Sequence, residues 1–301
     1  MGRPVAAVAV AALFVAGCGG SHPARTAGST SSPTIDSLLK GPGPSVALTP
    51  GAGSFLAGEI RFPFLVIANN GRPIERPAAR VLVAHGRDQE PFAKTTARLE
   101  PIGIPGRSEP AAGGLTRIYV AHFAVPKPGR YWVFARPAGA RIKGVSVIRV
   151  SAELPLPAVG AMAPRSATPT LADAPATVLT TARPPDRPLL RYSIRASLAD
   201  HRPFVVTFAT PKFCTSRVCG PVVDVVDAVR RRLASTGVRF IHVEVFEDND
   251  PAKGYNRWMR QWGLTTEPWV FLVGRDGRIK AEFEGSVSEA ELLAAVRSDL
   301  L

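Results

Sequence analysis

The chain has 301 residues, 46% of them apolar, and a formal charge of +13 from 37 basic and 24 acidic side chains. That is enough apolar material for two ordinary folded domains, and it excludes a chain disordered throughout. The basic residues are scattered, with Arg230-Arg231-Arg232 the one tight cluster and no interleaved aromatics, so no nucleic-acid partner is expected. In chain order, Arg3 precedes an apolar run at 5–16 that ends in Val15-Ala16-Gly17-Cys18. The run is about 12 residues, short of the ~20 that span hydrocarbon, and small residues follow it. Residues 1–17 therefore read as a signal peptide.

Val-Ala-Gly-Cys at 15–18 resembles the lipobox of bacterial lipoproteins, in which the cysteine is acylated and becomes the first mature residue. The resemblance implies lipidation of Cys18 and a protein held on the cell membrane by its acyl chains, on the extracytoplasmic side. Residues 18–44, rich in Ser, Thr, Gly and Pro, are expected to be a flexible tether. In that compartment disulfides persist, so Cys214 and Cys219 are left to pair with each other or with a partner protein.

Residues 45–151 carry short runs of alternating apolar and polar residues separated by turn signals such as Asn69-Asn70-Gly71 and Pro126-Lys127-Pro128-Gly129. The pattern predicts an all-β sandwich domain of immunoglobulin-like type, without the cysteine and tryptophan signature of true immunoglobulin domains. His85 and His122 are too few for a metal site and read as exposed or packed residues. Residues 152–192 are dominated by Pro, Ala and Thr and read as a linker or as an N-terminal extension of the C-terminal domain. Within them, Val159-Gly160-Ala161-Met162-Ala163-Pro164 resembles the entry segment of the redoxin branch of the thioredoxin superfamily.

Residues 193–301 alternate in the βαβ manner. Strands are predicted at 204–209, 238–246, 269–273 and 278–283, and helices at 222–233, 251–262 and 289–299, the last capped by Ser288 with Glu291 three residues on. The apolar positions of the first helix put Arg230-Arg231-Arg232 on a solvated face. Cys214 and Cys219, with four residues between them, lie between the first strand and that helix, where a helix N-terminus stabilises a thiolate.

This order, with Thr265-Thr266-Glu267-Pro268-Trp269 before the third strand, resembles the thioredoxin fold. The expected fold class is thus an α/β thioredoxin-like C-terminal domain preceded by the β-sandwich. The resemblance implies a cis Pro268 beside a Cys214–Cys219 disulfide, with the backbone of Glu267 pairing an extended substrate. It further implies a membrane-anchored thiol–disulfide oxidoreductase whose catalytic residues are Cys214 and Cys219 and whose partners are extracytoplasmic thiol or disulfide proteins.

The sequence departs from the family in three ways. Thioredoxins separate their cysteines by two residues. Thr207 stands where they carry a buried acid. If Pro221 is the first helical residue, Cys219 lies nearest the positive helix end, and the usual attacking and resolving roles reverse; Lys212 and Arg217 are the cations able to lower a thiol pKa. Copper-delivering redoxins of the Sco type have three intervening residues and a distant histidine, and neither His201 nor His242 falls where that ligand should; peroxiredoxins place a threonine three residues before the cysteine, whereas Thr210 is four before Cys214. Two alternatives stay open: a non-catalytic lipoprotein whose disulfide is structural and whose β domain binds partners, and a copper or haem-protein assembly factor. No cofactor and no metal are implied.

Overall fold

The computed structural model describes residues 33–301; the expected signal peptide, Cys18 and most of the expected tether lie outside them. Within the expected tether, residues 35–40 instead form helix α1 (Ile35–Lys40), with the Thr34 hydroxyl accepting from the Ser37 N–H. The reason is local and apolar: Ile35 is fully buried against Leu82, Ala84 and Phe134. The Lys143 ammonium donates to the Leu39 and Gly41 carbonyls at 2.9 Å each, and Asp36 pairs with Arg87 at 2.6 Å.

Seven strands follow: β1 (Ser45–Pro50), β2 (Gly58–Ile67), β3 (Ala78–Ala84), β4 (Ala93–Pro101), β5 (Arg117–Val125), β6 (Gly129–Pro137) and β7 (Lys143–Val150). They pair in the order β1-β2-β5-β4-β3-β6-β7 and close, because β1 runs antiparallel to β2 and parallel to β7, with Val46 opposite Gly144. The expected sandwich is therefore a closed mixed barrel. Alternation in sequence demands one buried face, which a sandwich and a barrel both provide; the pairing of the first and last strands decides between them, and no local pattern encodes it. The interior is filled by a line of rings, Phe62 on Phe64 at 5.2 Å and Phe64 on Tyr119 at 5.3 Å. The Tyr119 hydroxyl donates to the Ile74 carbonyl. His122 is exposed on β5, and His85 lies against Phe92 and Tyr131.

After the barrel come two short helices, α2 (Ala176–Leu179) and α3 (Ile194–Ala199), and then β8 (Phe204–Phe208), α4 (Cys219–Arg232), β9 (Arg239–Val243), α5 (Arg257–Gln261), β10 (Trp269–Val273), β11 (Ile279–Glu284) and α6 (Glu289–Asp299). The four strands form one sheet, β11-β10-β8-β9, in which β8 and β9 are the parallel pair. The fold class set by the sequence is thus corrected to a closed seven-stranded barrel plus a four-stranded mixed sheet with few helices. Part of the lost helix is the stretch at 251–262. It breaks into a single turn at Pro251–Lys253 and the five-residue α5, because Gly254 takes φ +74° and Asn256 caps a new start through its side chain.

Residues 152–192, expected as a linker or an N-terminal extension, contribute buried side chains such as Leu156, Ala163 and Leu190. Ser166, fully buried, accepts from the Trp262 indole N–H at 3.1 Å and donates to Gln261, while Thr180 and Thr181 sit against β9. The Arg230-Arg231-Arg232 run is not a simple solvated face either. Arg230 and Arg231 clasp the fully buried Asp227 carboxylate at 2.7 and 2.6 Å, and Arg232 pairs with Glu289.

Barrel and sheet are joined by charge. Arg61 of β2 forks onto Glu291 of α6 at 2.6 and 2.8 Å, and the Glu284 carboxylate accepts from the Gly53 and Ser54 N–H groups. Ser288 caps α6 by accepting from the Glu291 N–H, as the sequence indicates, but the Glu291 side chain is spent on Arg61 instead of closing a capping box.

Candidate functional site

Helix α4 starts two residues earlier than the Pro221 start read from the sequence, at Cys219, with Val218 as its cap. Gly220 and Pro221 occupy the first turn, where a missing proline N–H costs nothing. Cys214 sits in the preceding loop, held by its own N–H to the Thr210 carbonyl at 3.1 Å and by the Arg217 N–H to its carbonyl at 3.0 Å. The Cys214 and Cys219 sulfurs are not bonded to each other in the structure. Their sulfurs and a Glu267 carboxylate oxygen all lie within 4.8 Å of one another.

The two thiols have opposite surroundings. The Cys214 thiol is pushed down to about 6, first by the hydrogen bond from the Cys219 thiol, and further by Ser216, whose hydroxyl lies 3.3 Å away, and by the Cys219 backbone N–H. That backbone group belongs to the first turn of α4, so the helix end serves Cys214 and not Cys219. Burial and the Cys214 sulfur push Cys219 well up. Cys214, itself buried with 6% exposure, lines a cleft, and Cys219 has no exposed surface. The start at Pro221 on which the role reversal depended is not met, since α4 begins at Cys219, and Lys212 and Arg217 are not among the leading causes of the Cys214 shift.

Glu267 and Pro268 are joined by a cis peptide, directly before β10. The Glu267 side chain, not only its backbone, is at the site. It accepts from the Tyr255 hydroxyl at 2.8 Å, and Tyr255 lies stacked on Phe246 at 5.5 Å. Burial first, and then this bond to Glu267, raises the Tyr255 phenol, so it stays a proton donor. Tyr255 escaped the sequence reading, since nothing in the pattern at 251–262 distinguishes it from a helix-face aromatic.

A second group was also missed. The Glu244 carboxylate accepts from the Thr181 N–H and hydroxyl at 2.6 and 2.7 Å, and the Thr181 hydroxyl accepts from the Lys212 N–H at 3.1 Å. The buried carboxylate thereby fixes the loop that carries Cys214. His242 is packed, as its strand position suggests, with Nε2 3.0 Å from the Ala209 carbonyl oxygen.

Two thiolates and a carboxylate are a donor set suited to a soft or borderline d¹⁰ ion with one position open. Among the described residues no other cluster of His, Cys, Asp and Glu has that arrangement, and no histidine belongs to this one.

No family model and no curated protein matches the chain. Among solved structures, similarity is found to a thiol:disulfide interchange protein of the thioredoxin family from Chlorobium tepidum TLS, at 19% identity and a TM-score of 0.32, covering 50% of this chain and 100% of that one. The likeness stands as a similarity, and no assignment rests on it.

Proposed function

We propose that this chain exchanges thiols and disulfides with other proteins, Cys214 attacking and Cys219 resolving. One observation carries the reading: two free sulfurs and a Glu267 carboxylate oxygen lie within 4.8 Å of one another beside the cis Pro268, with the cleft-lining Cys214 thiol pushed down to about 6 and the Cys219 thiol pushed up. A thiol near 6 is mostly thiolate at pH 7, and thiolate is the nucleophile. Starting from the dithiol, the Cys214 thiolate attacks one sulfur of a client disulfide, and the client's other sulfur leaves as thiolate. Cys219 then loses its proton and attacks the Cys214 sulfur. An internal disulfide forms, the second client sulfur leaves, and two electrons have passed to the client. A client dithiol runs the same steps backward.

Because Cys219 is raised, its proton needs an acceptor. Glu267 is the carboxylate within reach of both sulfurs, directly or through one water, with Tyr255 orienting it. The backbone beside Pro268 is suited to pairing a client strand.

We also propose that the protein is held on the extracytoplasmic face of the membrane through acylated Cys18, where clients carry disulfides. Among the described residues no helix is long and apolar enough to cross a membrane. Cys18→Ala should move the full-length protein from the detergent phase to the aqueous phase on partition; continued partition into detergent would remove the anchor.

The exchange reading is tested by the pH dependence of alkylation. The sign follows from the acid form being unreactive: the rate of Cys214 modification by iodoacetamide should rise with pH, reach half its maximum near pH 6 and be level by neutrality. A profile still rising through pH 8 to 9, as for an ordinary cysteine, would remove the activated nucleophile.

A further inference from the structure

The cleft that Cys214 lines has a volume of about 1040 Å³, at the upper limit of small-molecule pockets, and one lip of it comes from the barrel. That lip is the 102–116 connection between β4 and β5, which contributes Arg107, Glu109 and Pro110. It is fastened to the cysteine loop and to α4. The Ala112 N–H donates to the Ser216 carbonyl at 2.9 Å, the Ser108 hydroxyl donates to Asp224 at 2.7 Å, and Val218 packs against the apolar cluster of Ile102, Ala111, Ile118 and Val120.

The charges of the cleft sort into cancelled and uncancelled. Arg107 and Arg231 face Asp227, and Asp224 is engaged by Ser108 and Arg107. Asp186 is held up to about 6 by burial first and then by Asp227, with Arg230 and Arg107 opposing. What remains on the side of Cys214 is positive. Among the described residues, Arg183 spends one guanidinium nitrogen on the Thr180 and Ala182 carbonyls and has no carboxylate partner, Lys212 lies over the Phe213 ring, and the exposed Arg217 side chain has no partner. Against these three stands Glu109 on the barrel lip. The leading causes of the lowered Cys214 thiol are hydrogen bonds from Cys219 and Ser216, and none of the three cations is among them, so activating the nucleophile is not the main account of their charge.

We propose that this cleft receives an acidic polypeptide segment flanking the client's cysteine, the cations Arg183, Lys212 and Arg217 reading its carboxylates and the barrel lip closing the far side. The inference deepens the exchange reading and rests on it. It also gives the barrel a part in client choice: a polypeptide fits where a small disulfide would leave most of the volume empty, and unpaired surface cations select by encounter rate, in a salt-dependent way.

The test uses reduced full chain and three peptides of equal length. Each carries one cysteine as its neutral 2-thiopyridyl disulfide, flanked by Asp and Glu, by Ser and Gln, or by Lys. Release of thiopyridone gives the rate. At low salt the acidic peptide should react at least about tenfold faster than the neutral one and the basic peptide more slowly, the spread narrowing as salt rises. In a chain carrying Arg183→Gln, Lys212→Gln and Arg217→Gln, the acidic-to-neutral ratio should fall to near one, and Glu109→Gln should raise it. Because the ratio is taken within each variant, a change in thiol reactivity cancels. Equal rates for the three peptides, or a preference that survives the triple variant, overturn the proposal. Should no peptide react at all, the exchange reading fails by itself. Fluorescence anisotropy of a cysteine-free acidic peptide then still decides the cleft: salt-sensitive binding lost in the triple variant supports it, and no binding overturns it.

Discussion

Replacing Cys214 by serine is expected to abolish exchange with a protein disulfide, lowering the rate by at least about 10³-fold, because a hydroxyl has no thiolate form at neutral pH. Replacing Cys219 gives the complementary result. The first attack survives, resolution does not, and the client remains bound to Cys214 through a mixed disulfide visible on a non-reducing gel. The two substitutions of Cys219 should also differ from each other. The largest cause of the low Cys214 pKa is the hydrogen bond from the Cys219 thiol. Cys219→Ser keeps an O–H donor there and Cys219→Ala removes it. Alanine should therefore move the alkylation midpoint of Cys214 upward from about 6 by more than serine does. Glu267→Gln belongs to the same experiment: it should leave the first attack in place, slow the decay of the mixed disulfide, and shift that slow step to higher pH, since hydroxide must take the proton the carboxylate no longer accepts. An unchanged decay and profile would return Glu267 to a purely structural place beside Pro268.

Trp262→Ala should destabilise the protein by about 3–5 kcal/mol, the usual cost of truncating a fully buried tryptophan. The ring is completely buried between Phe208 at 5.1 Å and Phe271 at 4.9 Å, so its loss opens a cavity behind the strand that leads to the cysteines. The indole N–H also donates to buried Ser166, which the substitution would leave with one partner fewer. Trp262→Phe refills most of the cavity yet still removes the donor to Ser166, which keeps only its bond to Gln261, and should cost about 1–2 kcal/mol. Urea unfolding of the three proteins checks both figures. A loss below about 1 kcal/mol for alanine would mean that the 152–192 segment is not part of the same cooperative core.

The sequence reading of the sheet elements rested on periodicity, and periodicity served where burial is two-sided or alternating. Phe204-Val205-Val206-Thr207-Phe208 is a continuous buried strand because both of its faces are covered, and Val222, Val225, Val226 and Val229 mark the inward stripe of α4. What the pattern did not carry was long-range choice. Nothing in Ser45–Pro50 announces that this strand will pair with β7 as well as β2 and close the barrel. Nor does the Pro-rich composition of 152–192 announce packing, since buried hydroxyls such as Ser166 and Thr181 find their partners far along the chain, at Trp262 and Glu244. The site divides in the same way. The cysteine pair and Pro268 stand out by residue type and order. The side chain of Glu267, its tie to Tyr255 and the Glu244–Thr181–Lys212 chain depend on distances that only the folded chain sets.

A thiolate stabilised at Cys214 favours the dithiol over the disulfide, which makes the pair easier to reduce than a structural bridge. The reduction potential of Cys214 and Cys219, measured by equilibration of the full chain with a dithiothreitol or glutathione redox buffer and read by thiol labelling, therefore bears on the central claim most directly. A potential above about −300 mV, with a single two-electron transition, is the expected result. A value well below about −300 mV, together with a pair that no protein disulfide or dithiol turns over, would make the two sulfurs a staple and contradict the exchange function.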